Sequence, residues 1–170
     1  MGIVVKDSGS DFKPAPAGLH QGVCVDIVDL GMVKSSFGGE EKEQWKVRLV
    51  WQIDERDAET EKRFIVSNRY TASLHEKANL RKALESWRGR AFLPEELRGF
   101  DLENVLGANC QLQVIHASKD GKTYANIAAI VPLAKGTPRL EPEGYVRMKD
   151  RRNNPGEGDH FEPTDDDIPF

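Results

Sequence analysis

Cysteine is nearly missing from this chain. Only Cys24 and Cys110 occur in 170 residues, which excludes a disulfide framework. Long apolar runs are missing too. The longest stretch, Ile127 to Ala134, is interrupted by Pro132 and falls well short of the roughly 18–20 residues of a membrane span. Met1 to Pro16 lacks the apolar core of a signal peptide. A soluble, cytoplasmic protein with reduced thiols and no membrane partner is therefore expected. Histidine is sparse: His20, His75, His116 and His160 are scattered, with no Cys-x-x-Cys or His-x-x-x-His spacing for a metal. His20 and Cys24 share a strand face, but two ligands do not make a site. No Gly-x-Gly-x-x-Gly occurs, and Gly38-Gly39 lacks the following Lys and Ser/Thr of a phosphate loop. No cofactor, metal or catalytic residue is expected. One enzymatic pattern is present: Glu40 and Lys42 form an E-x-K like that of some metal-dependent nucleases, with Asp54 downstream. In so acidic a loop, chance supplies such matches. Asp165-Asp166-Asp167 offers a hard cation no preformed cage.

What the chain does have is segregated charge. It carries 24 Lys and Arg against 28 Asp and Glu. Six of those acids (Glu157, Asp159, Glu162, Asp165, Asp166, Asp167) fall in residues 153–170, which hold no Lys or Arg. Residues 1–152 are left with 24 bases and 22 acids, a net of +2. A mildly basic body thus carries an acidic end, the pattern of an interaction tail. Between them, residues 135–158 contain Pro138, Pro142, Pro155 and Gly136, Gly144, Gly156, Gly158, with almost no apolar period. They read as a flexible linker, because such a stretch buries too little surface to offset its ordering entropy. Its Arg147, Lys149, Arg151 and Arg152 suit phosphate contact and plain solubility about equally. The expected plan is an N-terminal arm (1–17), one folded domain (18–134), the linker (135–158) and an acidic tip (159–170).

Apolar periodicity orders the body. A first strand is predicted over His20 to Leu30, followed by a loop at Ser35 to Gly39. A second runs from Gln44 to Ile53, with Trp45, Val47, Leu49, Trp51 and Ile53 on one face and Lys46, Arg48 and Gln52 on the other. Asp54 to Glu61 is a solvated turn, and Arg63 to Tyr70 a third strand. Ser73 and Glu76 form a capping box ahead of a helix over Leu74 to Arg88. That helix carries Leu80, Leu84 and Trp87 on one face and a C-cap at Gly89. Pro94 opens a second helical turn, and Asp101 to Leu106 forms a third. Two strands follow, Cys110 to Ala117 and Thr123 to Pro132, joined by a hairpin at Asp120-Gly121. Three strands, a helix and two strands make an all-β domain with one main helix. That is the element order of the OB-fold, a five-stranded Greek-key barrel, here followed by a disordered C-terminal tail.

Bases and aromatics interleave on these strands and loops: Lys34, Phe37, Trp45, Lys46, Arg48, Arg63, Arg69, Tyr70, Lys119, Lys122 and Tyr124. Single-stranded nucleic acid calls for both types. Cations neutralise phosphates and release counterions, while aromatic faces stack unpaired bases at about 1–3 kcal/mol each. An OB barrel offers its strand-2/strand-3 face and its 1–2 and 4–5 loops to such ligands. Parity assigns Trp51 and Phe64 to the core, Trp45 to the barrel lip, and Lys46 and Arg48 to the outer face.

The sequence Asp165-Asp166-Asp167-Ile168-Pro169-Phe170 resembles the acidic tip of bacterial single-stranded DNA-binding proteins (SSBs). The body does not read like the bacterial SSB domain. Instead, Asn79 to Gly89 (NLRKALESWRG) and Asp120 to Ile127 (DGKTYANI) are similar to phage or prophage proteins of SSB type. The resemblance implies a tip that recruits primases, nucleases, helicases or polymerase-accessory proteins. Phe170 would fill an apolar pocket on the partner, its carboxylate would meet an Arg or Lys, and the three aspartates would meet a basic rim. The expected protein coats and protects single-stranded DNA in replication, recombination and repair. Self-association to a dimer or tetramer is also expected, since one OB-fold covers a short footprint. The alternatives are an OB-type adaptor or decoy that uses the tip without binding DNA, and a metal-dependent phage nuclease or recombination enzyme.

Overall fold

The structure, a computed structural model, describes residues 13–151 apart from the side chains of Ser35 and Phe37. Five strands form one antiparallel sheet: β1 (Gly18–Phe37), β2 (Glu40–Arg56), β3 (Arg63–Thr71), β4 (Asn109–Lys119) and β5 (Lys122–Val131). Their spatial order is β3-β2-β1-β4-β5. Between β3 and β4 come α1 (Asn79–Arg88), α2 (Pro94–Leu97) and a 3-10 turn (Leu102–Val105); α3 (Met148–Arg151) closes the described chain. The element order is the one expected from periodicity. The sheet curls so that β3 and β5 approach each other, with α1 against both. Among the described residues the hydrogen-bonded ladder ends at those two strands, so the sheet is open and barrel-like.

The inner face carries the core. Val47, Leu49, Trp51 and Ile53 from β2 meet Cys24, Val66, Tyr70, Leu112, Val114 and Ile130, closed by Leu80, Leu84 and Trp87 of α1. Each large side chain so buried contributes about 1.5–3 kcal/mol. The Trp51 and Trp87 rings tilt together with centroids 5.7 Å apart. The helix begins later than Ser73 and Glu76 predict. Its N-cap is Ala78, with no side-chain cap, while the Ser73 hydroxyl accepts from the His75 N–H inside a turn. The C-cap is as read: Gly89 takes the left-handed conformation, φ +76°.

Two ribbons extend beyond the five-stranded part. The expected loop at 35–39 is instead strand running into a two-residue turn. Gly38 and Gly39 have φ of +59° and +87°, the signs that a tight hairpin needs to match strand twist. β2 pairs with β3 only from Lys46 onward, and β1 pairs with β4 only as far as Val23. Residues 31–37 and 40–45 are therefore a two-stranded arm. β4 and β5 likewise continue past Val114 as a second arm, turning at Asp120-Gly121.

The segment read as a linker behaves differently from that expectation. Residues 138–148 lie as a strap across the outer face, where Leu140 and Tyr145 pack on Val23, Val25 and Val50. Side-chain amides bind its backbone. Asn109 Nδ2 donates to the Leu140 carbonyl at 3.0 Å, and its Oδ1 accepts from the Leu140 N–H at 2.7 Å. Gln52 makes the same reciprocal pair with Glu143 at 2.7 and 2.8 Å. Gln21 donates to the Pro138 carbonyl. A strap satisfied in this way needs no apolar period of its own, which is why composition misreads it. The end of the N-terminal arm is also held: Ala15 is buried, and its carbonyl accepts from His116 Nε2 at 2.7 Å.

Candidate nucleic-acid interface

Register puts a row of cations on the outer face of β2 and β3. Arg48 lies directly opposite Arg69, and Lys46 opposite Thr71. Like charges in register repel, so such a row favours an arriving anion. The Lys46 ammonium donates to Thr71 Oγ1 at 2.8 Å. Burial first, and the nearby Arg69 charge second, hold its pKa below the ordinary lysine value. The sequence places Lys46 and Arg48 on an open outer face. Lys46 is half-buried, and Arg48 is only 4% exposed. The strap crosses this face beside Arg48, with Tyr145 packed on the neighbouring Val50 and Glu143 bonded to Gln52.

The strap is locked by a carboxylate that sequence reasoning missed. A bulge on β1 between Cys24 and Asp26 turns Val25 and Asp26 to the same outer side, as bulges do. Asp26 is 1% exposed. Its Oδ2 accepts from the Tyr145 hydroxyl at 2.9 Å and from the Met148 N–H at 2.8 Å. Its Oδ1 accepts from Arg147 Nε at 3.0 Å and the Ile27 N–H at 2.8 Å. Arg147 also forks onto Glu103 of the 3-10 turn at 2.8 and 3.0 Å. The guanidinium is thereby pushed above its ordinary pKa, by Glu103 more than by Asp26. Glu103 is held below the usual carboxylate range. Only a partner 121 residues away reveals what Asp26 does, and no local pattern carries that information.

Two expected contacts are absorbed by the fold. Arg63 donates to the Glu141 carbonyl and lies 3.5 Å from Glu143, its side chain largely covered. It anchors the strap. Tyr70 is 6% exposed, accepts from Asn68 Nδ2 at 3.1 Å, and has its hydroxyl pKa pushed up to about 12 by burial. It is a core residue because it shares the inward parity of Val66. Arg69 stays on the outer face, half-buried.

The two arms hold the remaining candidates. On the first, Trp45 is 50% exposed and faces Met32, itself 62% exposed. The indole Nε1 donates to Asp29 at 2.7 Å, which fixes the ring and lowers the Asp29 pKa. Lys34 is exposed on the same arm, and Phe37 pairs through its backbone with Glu40. On the second arm, Ile115 opposes Asn126, Ala117 opposes Tyr124, and Lys119 opposes Lys122. Alternate pairs share a face. One face thus presents Ile115, Tyr124, Lys119 and Lys122 together. Ile115, exposed, is an addition to the set. It continues the outward parity of β4, a signal legible once the hairpin register is known.

The nuclease pattern does not converge. Glu40 and Asp54 stand fourteen positions apart on one strand, about 45 Å at the rise of a β-strand. Among the described residues no group of three or more His, Cys, Asp or Glu could hold a metal ion. His20 bonds the Pro16 carbonyl, while Cys24 sits in the core with its thiol pKa pushed up to about 12 by burial. Among the described residues no helix is long and apolar enough to cross a membrane. Asp165, Asp166, Asp167, Ile168, Pro169 and Phe170 lie outside the described residues. No protein-family model matches the chain, and no curated protein matches it.

Proposed function

We propose that this chain is a sequence-nonspecific single-stranded DNA-binding protein built on an OB-type barrel, and that it is not an enzyme. The observation that carries the reading is the pair of half-buried cations, Lys46 and Arg69, on the outer face of β2 and β3, with the covered Arg48 between them in register. Beside that row stand two arms, each bearing an exposed or half-exposed aromatic with lysines. An OB barrel uses its strand-2/strand-3 face and its 1–2 and 4–5 connections for such ligands. The strand order, and the approach of β3 to β5, support that barrel. Phosphates would meet the cations, and bases would stack on Trp45 and Tyr124. Neither interaction reads base identity, so little sequence preference is expected.

The acidic end supplies the second half of the function. Phe170 offers an apolar anchor beside a run of acidic charge. Three adjacent aspartates would speed encounter with a basic partner and make it salt-sensitive. The tip would recruit replication and repair enzymes in the cytoplasm to a strand coated by dimers or tetramers. Deleting Asp165 to Phe170 should leave oligo-dT binding intact or tighter and abolish capture of a partner helicase or primase. Partner capture that survives the deletion removes the tip from the account. A full chain that leaves labelled oligo-dT unshifted in low salt would favour an adaptor or decoy. Divalent-metal-dependent loss of the oligonucleotide, abolished by Glu40→Ala, would restore the nuclease.

A further inference from the structure

The strap does more than cover valines. Its last turn runs beside β1, where Met148 and Lys149 line a groove with Ile27, Val28, Asp29, Leu30 and Gly31. Across β1, Val28 is paired with Arg48 and Gly31 with Lys46. Lys149 and the cation row of β2 therefore flank the same stretch of β1. Arg151 lies over the Tyr145 ring at 5.1 Å, and that ring packs on Val23, Val25 and Val50 of the outer face. Cations from two ends of the sequence thus border one surface.

We infer that the strap is one wall of the strand-binding surface, with Lys149 and Arg151 contacting phosphates beside Lys46 and Arg69, and with Asp26 as the residue that positions them. The inference rests on the single-stranded DNA reading above. Three features favour a polyanion as occupant. Arg147 is matched by Asp26 and Glu103, so it serves as the lock rather than the contact. Lys149 is 63% exposed and stands 3.9 Å from Glu103, which Arg147 already forks. The exposed groove also passes the mouth of the first arm, because Asp29 in its wall holds Trp45. A strand lying there meets Lys149 along the groove and an indole at one end.

The test uses the full chain and fluorescent oligo-dT over a salt series. Lys149→Gln with Arg151→Gln should weaken binding several-fold at low salt and lower the log–log salt slope by roughly 1–1.5, since each phosphate contact on a single strand contributes about 0.7. Asp26→Asn keeps every strap cation but removes its anchor, so it should lower affinity and slope to a similar degree. Adding it to the Lys149/Arg151 double variant should change binding little further. A role confined to stability would leave the slope unmoved. If Asp26→Asn does not fold, the Lys149/Arg151 double variant decides alone. Wild-type affinity and slope in that double variant, with both reduced in Lys46→Gln, would overturn the strap's role and leave the function standing; tighter binding in the double variant would overturn it as well. A wild-type chain that ignores oligo-dT at low salt would remove the function itself.

Discussion

Val47, Leu49, Trp51 and Ile53 point inward from β2 and pack into a core assembled from every strand and α1. Lys46, Arg48, Val50 and Gln52 point the other way, and a strap arriving ninety residues later covers much of them. The inner face is held by apolar area, which is non-directional and cumulative. The outer face is held by a few directed bonds to Asp26, Gln52, Asn109 and Glu143. Loss of a core side chain therefore costs in proportion to the area it buries, whereas the strap hangs on single groups. The difference lets one strand serve the core on one face and hold the strap on the other.

The largest expected effect breaks the inner face. Trp51→Ala removes a fully buried ring and should cost about 3–5 kcal/mol in a denaturant titration. Asp26→Ala comes next. It removes one of the acids that Arg147 bonds and strands the Tyr145 hydroxyl, so about 3 kcal/mol is expected. Amide exchange should then rise at Leu140, Glu143 and Met148 and stay slow in α1. Equal loosening of both regions would contradict the separation drawn here.

Two tyrosines sharpen the comparison at the level of binding. Tyr124→Ala, on the second arm, should weaken oligo-dT binding by about 1–3 kcal/mol with little change in stability. Tyr70→Phe should leave binding untouched and cost about 1 kcal/mol of stability, since it removes one part-buried hydrogen bond to Asn68. The reverse pattern would return Tyr70 to the interface. The smallest effect concerns acid. Arg56 holds the Glu143 carboxyl below its ordinary value of 4.5, and Arg147 does the same for Glu103. These pairs give their full stabilisation above that value and lose it as pH falls through the lowered folded-state pKa values. The strap should therefore loosen below about pH 4.5 while the core persists, visible as early rise of strap amide exchange. Both groups are largely exposed, so salt should blunt the effect.

Period-2 alternation was enough to read the strands and the inward set on β2, because burial on one face leaves its mark at every second residue. The helix face and the Gly89 cap were legible for the same local reason. The helix start was not, since Ser73 satisfies a turn instead of a cap. Residue type alone points Arg63 and Tyr70 to DNA, but the strap bonds Arg63 and inward parity buries Tyr70. Arg48 was assigned outward correctly in direction but not in exposure, because its cover comes from a stretch whose composition looks unstructured. Asp26 was invisible for two reasons: a bulge breaks the alternation around it, and its partners lie far along the chain. Tyr124, Lys119 and Lys122 were legible as residues, and only the hairpin register shows that they share a face with Ile115.

The most direct measurement is intrinsic tryptophan fluorescence during oligo-dT addition in low salt. Trp51 and Trp87 are buried and Trp45 is half exposed, so the signal reports on Trp45. Saturable quenching that weakens with added salt and vanishes in Trp45→Phe is the predicted result. Fluorescence that stays flat across the titration, with labelled oligo-dT still free in solution, would contradict the account.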